Sequence, residues 1–159
     1  MIDALKRSSF FAGFDDQSLA DIAAFARPRT FEAGQMIFDR DEEGREAYII
    51  VRGRVRQGFE VSPGSEVWFL TGEVGDLFGF GSLIAPRVRA MRAKASEQCE
   101  LVELDAGRLL EYLEAHPRFG FIFMERLAQV IYQRLNNSRL QIIHLMPERE
   151  PAGPTLASG

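Results

Sequence analysis

The chain has 159 residues, a formal net charge of −4 and a single cysteine, Cys99. Its length suits one domain able to bury a core, its acidity without a basic stripe argues against a nucleic-acid binder, and a lone cysteine excludes an internal disulfide and fits a reducing cytoplasm. No apolar run approaches the ~20 residues that span a bilayer, and the first residues lack the apolar core and cleavage site of a secretion signal, so a cytoplasmic protein with no membrane partner is expected.

Residues 2–8 can form a short helix. The stretch FDDQSLADIAAFAR (14–27) predicts a second, capped by Asp15 or Asp16, with Leu19, Ile22, Ala23 and Ala26 on one face and Pro28 marking its end. From residue 29 to about 105 short runs of aromatic and β-branched residues alternate with turn signals. RTFE, QMIF, EAYIIVRG, RVRQGFEV, EVWFLT, RAMRAKAS and CELVELD are the predicted strands. Many short strands at this spacing suggest a mainly β protein, an antiparallel sandwich or roll. YIIV (48–51) is apolar on both faces and predicts a central strand. RVRQGFEV (54–61) alternates, with Val55, Gln57, Phe59 and Val61 on one side.

The helical period returns at DAGRLLEYLEAHP (105–117), which starts at a capping aspartate and stops at Pro117. A long helix over 118–146 follows. Met124, Ala128, Ile131, Leu135, Ser138, Ile142 and Leu145 step along it as a coiled-coil seam, and Phe123, Leu127 and Val130 form a second stripe. A helix of this length is ~43 Å long at 1.5 Å per residue, more than a compact β domain covers on both sides. One stripe is therefore expected on the roll and the other on a second copy, with a helix folded back on its own domain as the alternative. Residues 1–146 form the expected domain and 147–159 an expected flexible tail.

The stretch GDLFGFGSLIAPR (75–87) has glycines at 75, 79 and 81, which permit positive φ and close backbone approach. Amide N–H groups from Gly79 to Leu83 can form a concave nest for an anion, and Arg87 adds a planar cation suited to phosphate. A simple turn is the other explanation of the same glycines. No Gly-Lys-Ser/Thr follows, so this is not a nucleotide P-loop, and Ile84 stands where a dinucleotide fingerprint needs its third glycine.

The order of elements and several stretches resemble the cyclic nucleotide-binding domain family, which includes bacterial catabolite-activator-type regulators, protein kinase A regulatory subunits and cyclic-nucleotide-gated channels. The resemblance runs from about Phe10 to Leu140. It rests on FEAGQMIF (31–38), EEGREAYIIVRGRV (42–55), GDLFG (75–79), PRVRAMRAKA (86–95) and CELVELD (99–105). It implies an antiparallel β-roll or jelly roll, a double-stranded β-helix, with N-terminal helices and a long C-terminal helix. It also implies a phosphate-binding cassette after the Phe-Gly pair, which assigns ligand contacts to Gly79, Phe80, Gly81, Ser82, Leu83, Arg87 and Val88. The family's glutamate for the ribose 2′-hydroxyl falls at Phe80, which cannot accept that bond. A hydrogen bond to a charged group contributes ~1.5–3 kcal/mol, so ribose binding should weaken by roughly tenfold to over a hundredfold. The cassette is also shorter than usual, and Val88 replaces a hydroxyl residue. Arg89 is either an outward-facing strand residue, the orientation expected, or a second anion donor. Asp41 occupies a turn position usually held by glycine, a place where aspartate tolerates positive φ.

The expected function is that of a stand-alone regulatory sensor domain that binds a small phosphorylated ligand, a cyclic nucleotide such as cyclic AMP or a relative, and signals through its C-terminal helix. It is expected to pair as a homodimer through 118–146 and to act on a downstream protein partner. The alternative is a degenerate domain in which Phe78 and Phe80 fill the pocket and the chain serves for pairing or docking. No catalytic constellation, resident cofactor or metal site is expected. His116 and His144 lie far apart in or beside helices, and a cupin-like metal centre needs two or three converging histidines. The sequence has no helix-turn-helix after the long helix, so direct DNA binding is not expected. Cys99 predicts a small structural residue, 41–43 a solvated turn, and Trp68 with Phe69 core packing rather than a pocket border. Asn136, Asn137 and Ser138 either read a nucleobase edge or set helix register.

Overall fold

The structure, a computed structural model, describes residues 1–145. Two short helices, α1 (Ile2–Arg7) and α2 (Asp16–Ala23), precede eight strands: β1 (Ala26–Phe31), β2 (Met36–Phe38), β3 (Glu46–Arg52), β4 (Val55–Ser62), β5 (Ser65–Gly72), β6 (Leu77–Phe78), β7 (Arg92–Ala95) and β8 (Cys99–Asp105). Helices α3 (Ala106–Ala115) and α4 (Pro117–Leu145) follow. The chain divides into two compact units, Met1–Phe121 and a second that begins at Ile122, within α4.

The strands make two antiparallel four-stranded sheets, ordered β1-β8-β3-β6 and β2-β7-β4-β5. Apart from the β4–β5 hairpin, consecutive strands alternate between the sheets, so their side chains meet inside a roll. Phe31, Phe38, Tyr48, Ile50, Val55, Phe78, Ala93, Ala95, Cys99 and Leu101 form that buried core. β3 is an interior strand, as its doubly apolar YIIV predicts, and Ala47 to Ile50 are all buried.

Local signals fix the helix ends. The Asp15 carboxylate accepts from the Ser18 N–H and the Asp105 carboxylate from the Arg108 N–H, each at 2.9 Å, so both predicted caps form. Each satisfies an amide that the first helical turn leaves orphaned. His116 is the C-cap of α3, and Pro117 then opens α4 at the position where proline's missing N–H is harmless. The long helix is 29 residues. Met124, Ile131, Leu135, Ile142 and Leu145 along the predicted seam are exposed, whereas Phe123 and Leu127 of the second stripe are buried. The residues assigned to a flexible tail, 147–159, lie outside the described residues.

Four expectations are corrected. Pro28 does not end a helix; α2 ends at Ala23, so Ala26 is not on its face, and Pro28 sits within β1 opposite Val102. β1 is an edge strand, where a missing N–H leaves no ladder partner unserved. The alternation of β4 fails halfway: a bulge between Gln57 and Gly58 shifts register, and Val61 is exposed. At Gly58 a β-carbon would collide with the Val67 carbonyl oxygen, so the strands approach there only because that residue is glycine. A two-residue strand, β6, lies inside the stretch expected to be a bare connection. Trp68 is half-buried outside the core cluster, with Arg56 at 4.6 Å and Lys94 at 5.3 Å over its ring.

One arginine binds the second sheet together. The Arg92 guanidinium reaches Asp39 just after β2, Glu60 on β4 and Glu66 on β5 at 3.0, 3.0 and 2.8 Å, and Lys94 shares Glu66 at 3.1 Å. Every strand of that sheet, or its adjoining residue, contributes to this network. The planar fork of arginine serves several carboxylates in fixed geometry, including bidentate contact with Asp39, which a lysine point charge does not reproduce.

Candidate functional site

The stretch from Gly75 to Arg89 contains β6 and a short turn and leads back to the limb before β7. β6 delivers Phe78 into the core, and the chain then turns through Gly79 at φ 70. A 3₁₀ turn over Phe80–Leu83 follows. Residues 84–88 are exposed, and the chain re-enters the protein at Arg89, which is only 3% exposed. This returning limb is fastened to the turn at 41–44. The Asp41 N–H donates to the Arg89 carbonyl, the Arg89 N–H to the Glu42 carbonyl, and the Gly44 N–H to the Arg87 carbonyl, at 2.9, 2.8 and 2.7 Å. Asp41 takes φ 66, as its place in that turn predicts.

The Arg89 guanidinium lies inside. Its Nη1 donates to the Gly79 carbonyl at 2.7 Å and its Nη2 to the Glu46 carbonyl at 2.8 Å, with the Glu46 carboxylate at 3.5 Å. It rests on the face of Phe38, 4.1 Å from the ring centroid. A desolvated cation over an aromatic face gains about 2 kcal/mol, as large as a good hydrogen bond. Phe38, Tyr48 and Phe78 stack in turn, Tyr48 and Phe78 at 5.2 Å. The Arg89 Nε is buried with no hydrogen-bond partner among the described residues.

This arrangement explains the glycine at 79. A β-carbon there would stand 3.0 Å from Arg89 Nη1 and 3.2 Å from the Tyr48 ring. The guanidinium occupies the space that a side chain would take. Ser82, also fully buried, donates both its amide and its hydroxyl to the same Gly79 carbonyl, at 3.2 and 3.0 Å. That oxygen therefore accepts from three groups.

Charge around the site is set by burial. Burial pushes the Arg89 guanidinium below its ordinary value, while Tyr48, Glu46 and Glu42 oppose the shift. It remains a cation, as arginines in proteins do. Burial, then Glu46 and Glu103, pushes the Tyr48 phenol up to about 12, so it stays neutral. Burial and next Glu103 raise the Glu46 carboxyl, against the pull of Arg89.

The sequence-predicted residues divide into two sets. Gly79, Ser82 and Leu83 are buried, and Phe80 and Gly81 half-buried, in the turn that Arg89 faces. Arg87 and Val88 are exposed, and the Arg87 side chain makes no hydrogen bond or ion pair among the described residues. The structure does not bring Arg87 to the interior; it takes φ 60 on the outer loop. The outward orientation expected of Arg89 is corrected, for it is the buried arginine. The nest expected from Gly79 to Leu83 is in part a 3₁₀ turn, with the Ser82 N–H committed to Gly79 and the Ile84 N–H to Gly81. No local pattern marked Arg89: it precedes β7, separated from it by a bend at 90–91, and its partners Gly79 and Glu46 are distant in sequence.

Other residues take structural positions. Cys99 is buried and donates to backbone carbonyls of Arg54 and Glu97, and burial raises its thiol pKa. Among the described residues no three His, Cys, Asp or Glu side chains are grouped to hold a metal, and no helix is long and apolar enough to cross a membrane.

Two antiparallel four-stranded sheets with N-terminal helices and a long C-terminal helix make the jelly-roll fold of cyclic nucleotide-binding domains. The sequence pattern of the cyclic nucleotide-binding domain matches residues 28–116, and this chain belongs to that family. It is 25% identical over 146 residues to the CRP-like cAMP-activated global transcriptional regulator of Mycobacterium tuberculosis, covering 92% of this chain and 63% of that protein. The chain thus spans less than two thirds of that relative. Among solved structures, a Geobacter metallireducens protein described as a cyclic nucleotide-binding protein shares 27% identity at a TM-score of 0.73, over 84% of this chain and 96% of the other. The catabolite activator protein of Thermus thermophilus shares 25% identity at a TM-score of 0.71, over 87% of this chain and 63% of the other.

Two measurements check this account of the site. Gly79→Ala forces a left-handed alanine and crowds Arg89, so urea denaturation should show a loss of about 1–2 kcal/mol or more, with Gly81→Ala far milder. Glu46 has a raised pKa in the folded state, so its contribution is fully present below the ordinary glutamate range and is lost as pH rises through the raised value. The thermal midpoint of the wild type relative to Glu46→Gln should therefore fall between pH 4 and pH 7.

Proposed function

We propose that the chain is a regulatory sensor domain that binds a small phosphorylated ligand, a cyclic nucleotide or a close relative, at the turn of Gly79 to Leu83, with Arg89 as the anion-binding cation. The observation that carries this is the guanidinium of Arg89, buried against Gly79 with its Nε unpartnered. A buried cation with an unused donor is a ready site for an oxyanion, which arginine binds in fork geometry. Membership of the family and the CRP-like relative support the same reading. Phe80 supplies no acceptor for a ribose 2′-hydroxyl, so the ligand is held mainly through phosphate and heterocycle.

The domain pairs through α4 and hands its state to a downstream protein. The exposed seam of Met124, Ile131, Leu135, Ile142 and Leu145 supports pairing with a second copy, because a row of large apolar side chains at this spacing matches a coiled-coil partner. A ligand shifts such a helix only if it binds two of its states with different affinity.

A second reading has its own support. Two nitrogens of Arg89 are already taken up by Gly79 and Glu46, and three stacked rings fill the space beside them. On that reading the pocket is closed by its own residues and the chain is a pairing module.

Calorimetry with cyclic AMP, cyclic GMP and 2′-deoxy cyclic AMP decides between them. Sensor function predicts binding that Arg89→Ala weakens at least a hundredfold and Arg87→Ala changes less than threefold, with the 2′-deoxy ligand within about twofold of cyclic AMP. Absence of binding at millimolar ligand removes the sensor reading. Light scattering tests the pairing: a dimer is expected at micromolar concentration, and Leu135→Glu should convert it to monomer.

A further inference from the structure

Three buried side chains among the described residues have an unpartnered nitrogen: Arg56 Nε, Gln57 Nε2 and Arg89 Nε. The Arg56 guanidinium lies on the Trp68 ring, which occupies one of its faces. Arg89 belongs to the site described above. Gln57 has no such account. It is 3% exposed on β4, and its amide donor reaches no acceptor among the described residues.

Strand register shows which way Gln57 faces. It pairs with Ala93 on β7, and Ala93 pairs with Phe38 on β2, so Phe38, Ala93 and Gln57 form one row across three adjacent strands. Residues in such a row share a face of the sheet. Val55, two residues earlier and on the same face, pairs with Ala95. Phe38, Val55, Ala93 and Ala95 all belong to the buried core, so the carboxamide of Gln57 projects from the inner face among apolar neighbours. It is the face whose Phe38 ring carries the Arg89 guanidinium. Two strand spacings of ~4.8 Å, about 10 Å in all, separate Phe38 from Gln57.

An enclosed donor without an acceptor opposes folding, and a leucine or methionine would fill the position without that cost. No hydrogen bond among the described residues uses the carboxamide. We propose that Gln57 is a specificity-determining residue that hydrogen bonds the heterocycle of a ligand whose phosphate rests on Arg89. This rests on the sensor reading above and names what the inner wall of that site recognises. A glutamine amide presents a donor beside an acceptor. That pair matches the adenine edge, where N7 accepts and the N6 amino group donates, and mismatches guanine, where N7 and O6 both accept. The preferred ligand is accordingly an adenine nucleotide.

The test is calorimetry with cyclic AMP and cyclic GMP on the wild type, Gln57→Met and Gln57→Leu, paired with thermal unfolding of each protein without ligand. Both variants should unfold at the wild-type temperature or above it. Cyclic AMP affinity should fall about threefold to tenfold in each, and the preference for cyclic AMP over cyclic GMP should shrink. Variants that melt several degrees lower while both affinities stay unchanged would overturn the proposal, since the amide would then serve the fold, through a buried water. Binding that needs Arg89 but ignores Gln57 overturns this inference alone. A wild type that binds neither nucleotide overturns the sensor reading and this inference with it.

Discussion

A guanidinium taken out of water must be given oxygen partners, and in this protein the first of them is the carbonyl of Gly79, 2.7 Å from Arg89 Nη1. Much of the cassette follows from that contact. Residue 79 must lack a β-carbon, because the space is taken by the cation and by Tyr48. The backbone there must be left-handed so that the carbonyl points inward, and glycine adopts that conformation without strain. Ser82 must be buried, since its amide and hydroxyl complete the shell of the same oxygen. The turn at 41–44 must meet the returning limb, because it holds the Arg89 backbone on both sides.

The same contact bears on ligand binding. Arg89 is charged, buried and incompletely satisfied, so its present partners compete with any incoming phosphate. The carbonyls of Gly79 and Glu46 are neutral acceptors, and hydrogen bonds to them are weaker than bonds to an anion. The Glu46 carboxylate is a stronger competitor, but it stands 3.5 Å away, is partly exposed and is opposed by its own desolvation. In the proposed sensor, a phosphate bound through two of its oxygens by the guanidinium fork is favoured over this set. In that proposal Phe80 withholds the family's ribose contact, and the unpartnered amide of Gln57 stands at a different part of the same inner surface.

The roll itself depends on a second arginine of opposite character. Arg92 is surrounded by Asp39, Glu60 and Glu66, with hydrogen bonds from Nε and both terminal nitrogens. It pins the four strands of one sheet and commits four of its five N–H donors to carboxylates. Three positions apart, two arginines on one limb serve opposite ends: one is held by carboxylates and is structural, the other is held by neutral carbonyls and an aromatic face. The number of anionic partners, rather than burial, separates the two roles.

Much of this was legible in the residues. Asp15 and Asp105 announced their caps, Asp41 its positive φ, and YIIV an interior strand, because each effect acts within a few residues of chain. The quoted motifs likewise carried the family. The succession of helices, strands and helices came from composition and turn signals, and the length of α4 from its helical period. What the sequence left open was which arginine goes inside, and local pattern pointed to the wrong one. Arg87 follows a proline in a loop, but Arg89 is buried because its partners lie 10 and 43 residues away, and only the closed roll brings them together. The bulge at Gln57 and Gly58, the placing of Pro28 on a sheet edge and the stranding of Gln57 on the inner wall are decisions of the same kind. Each is set by pairing between distant strands, and that pairing exists only after the sheets have met.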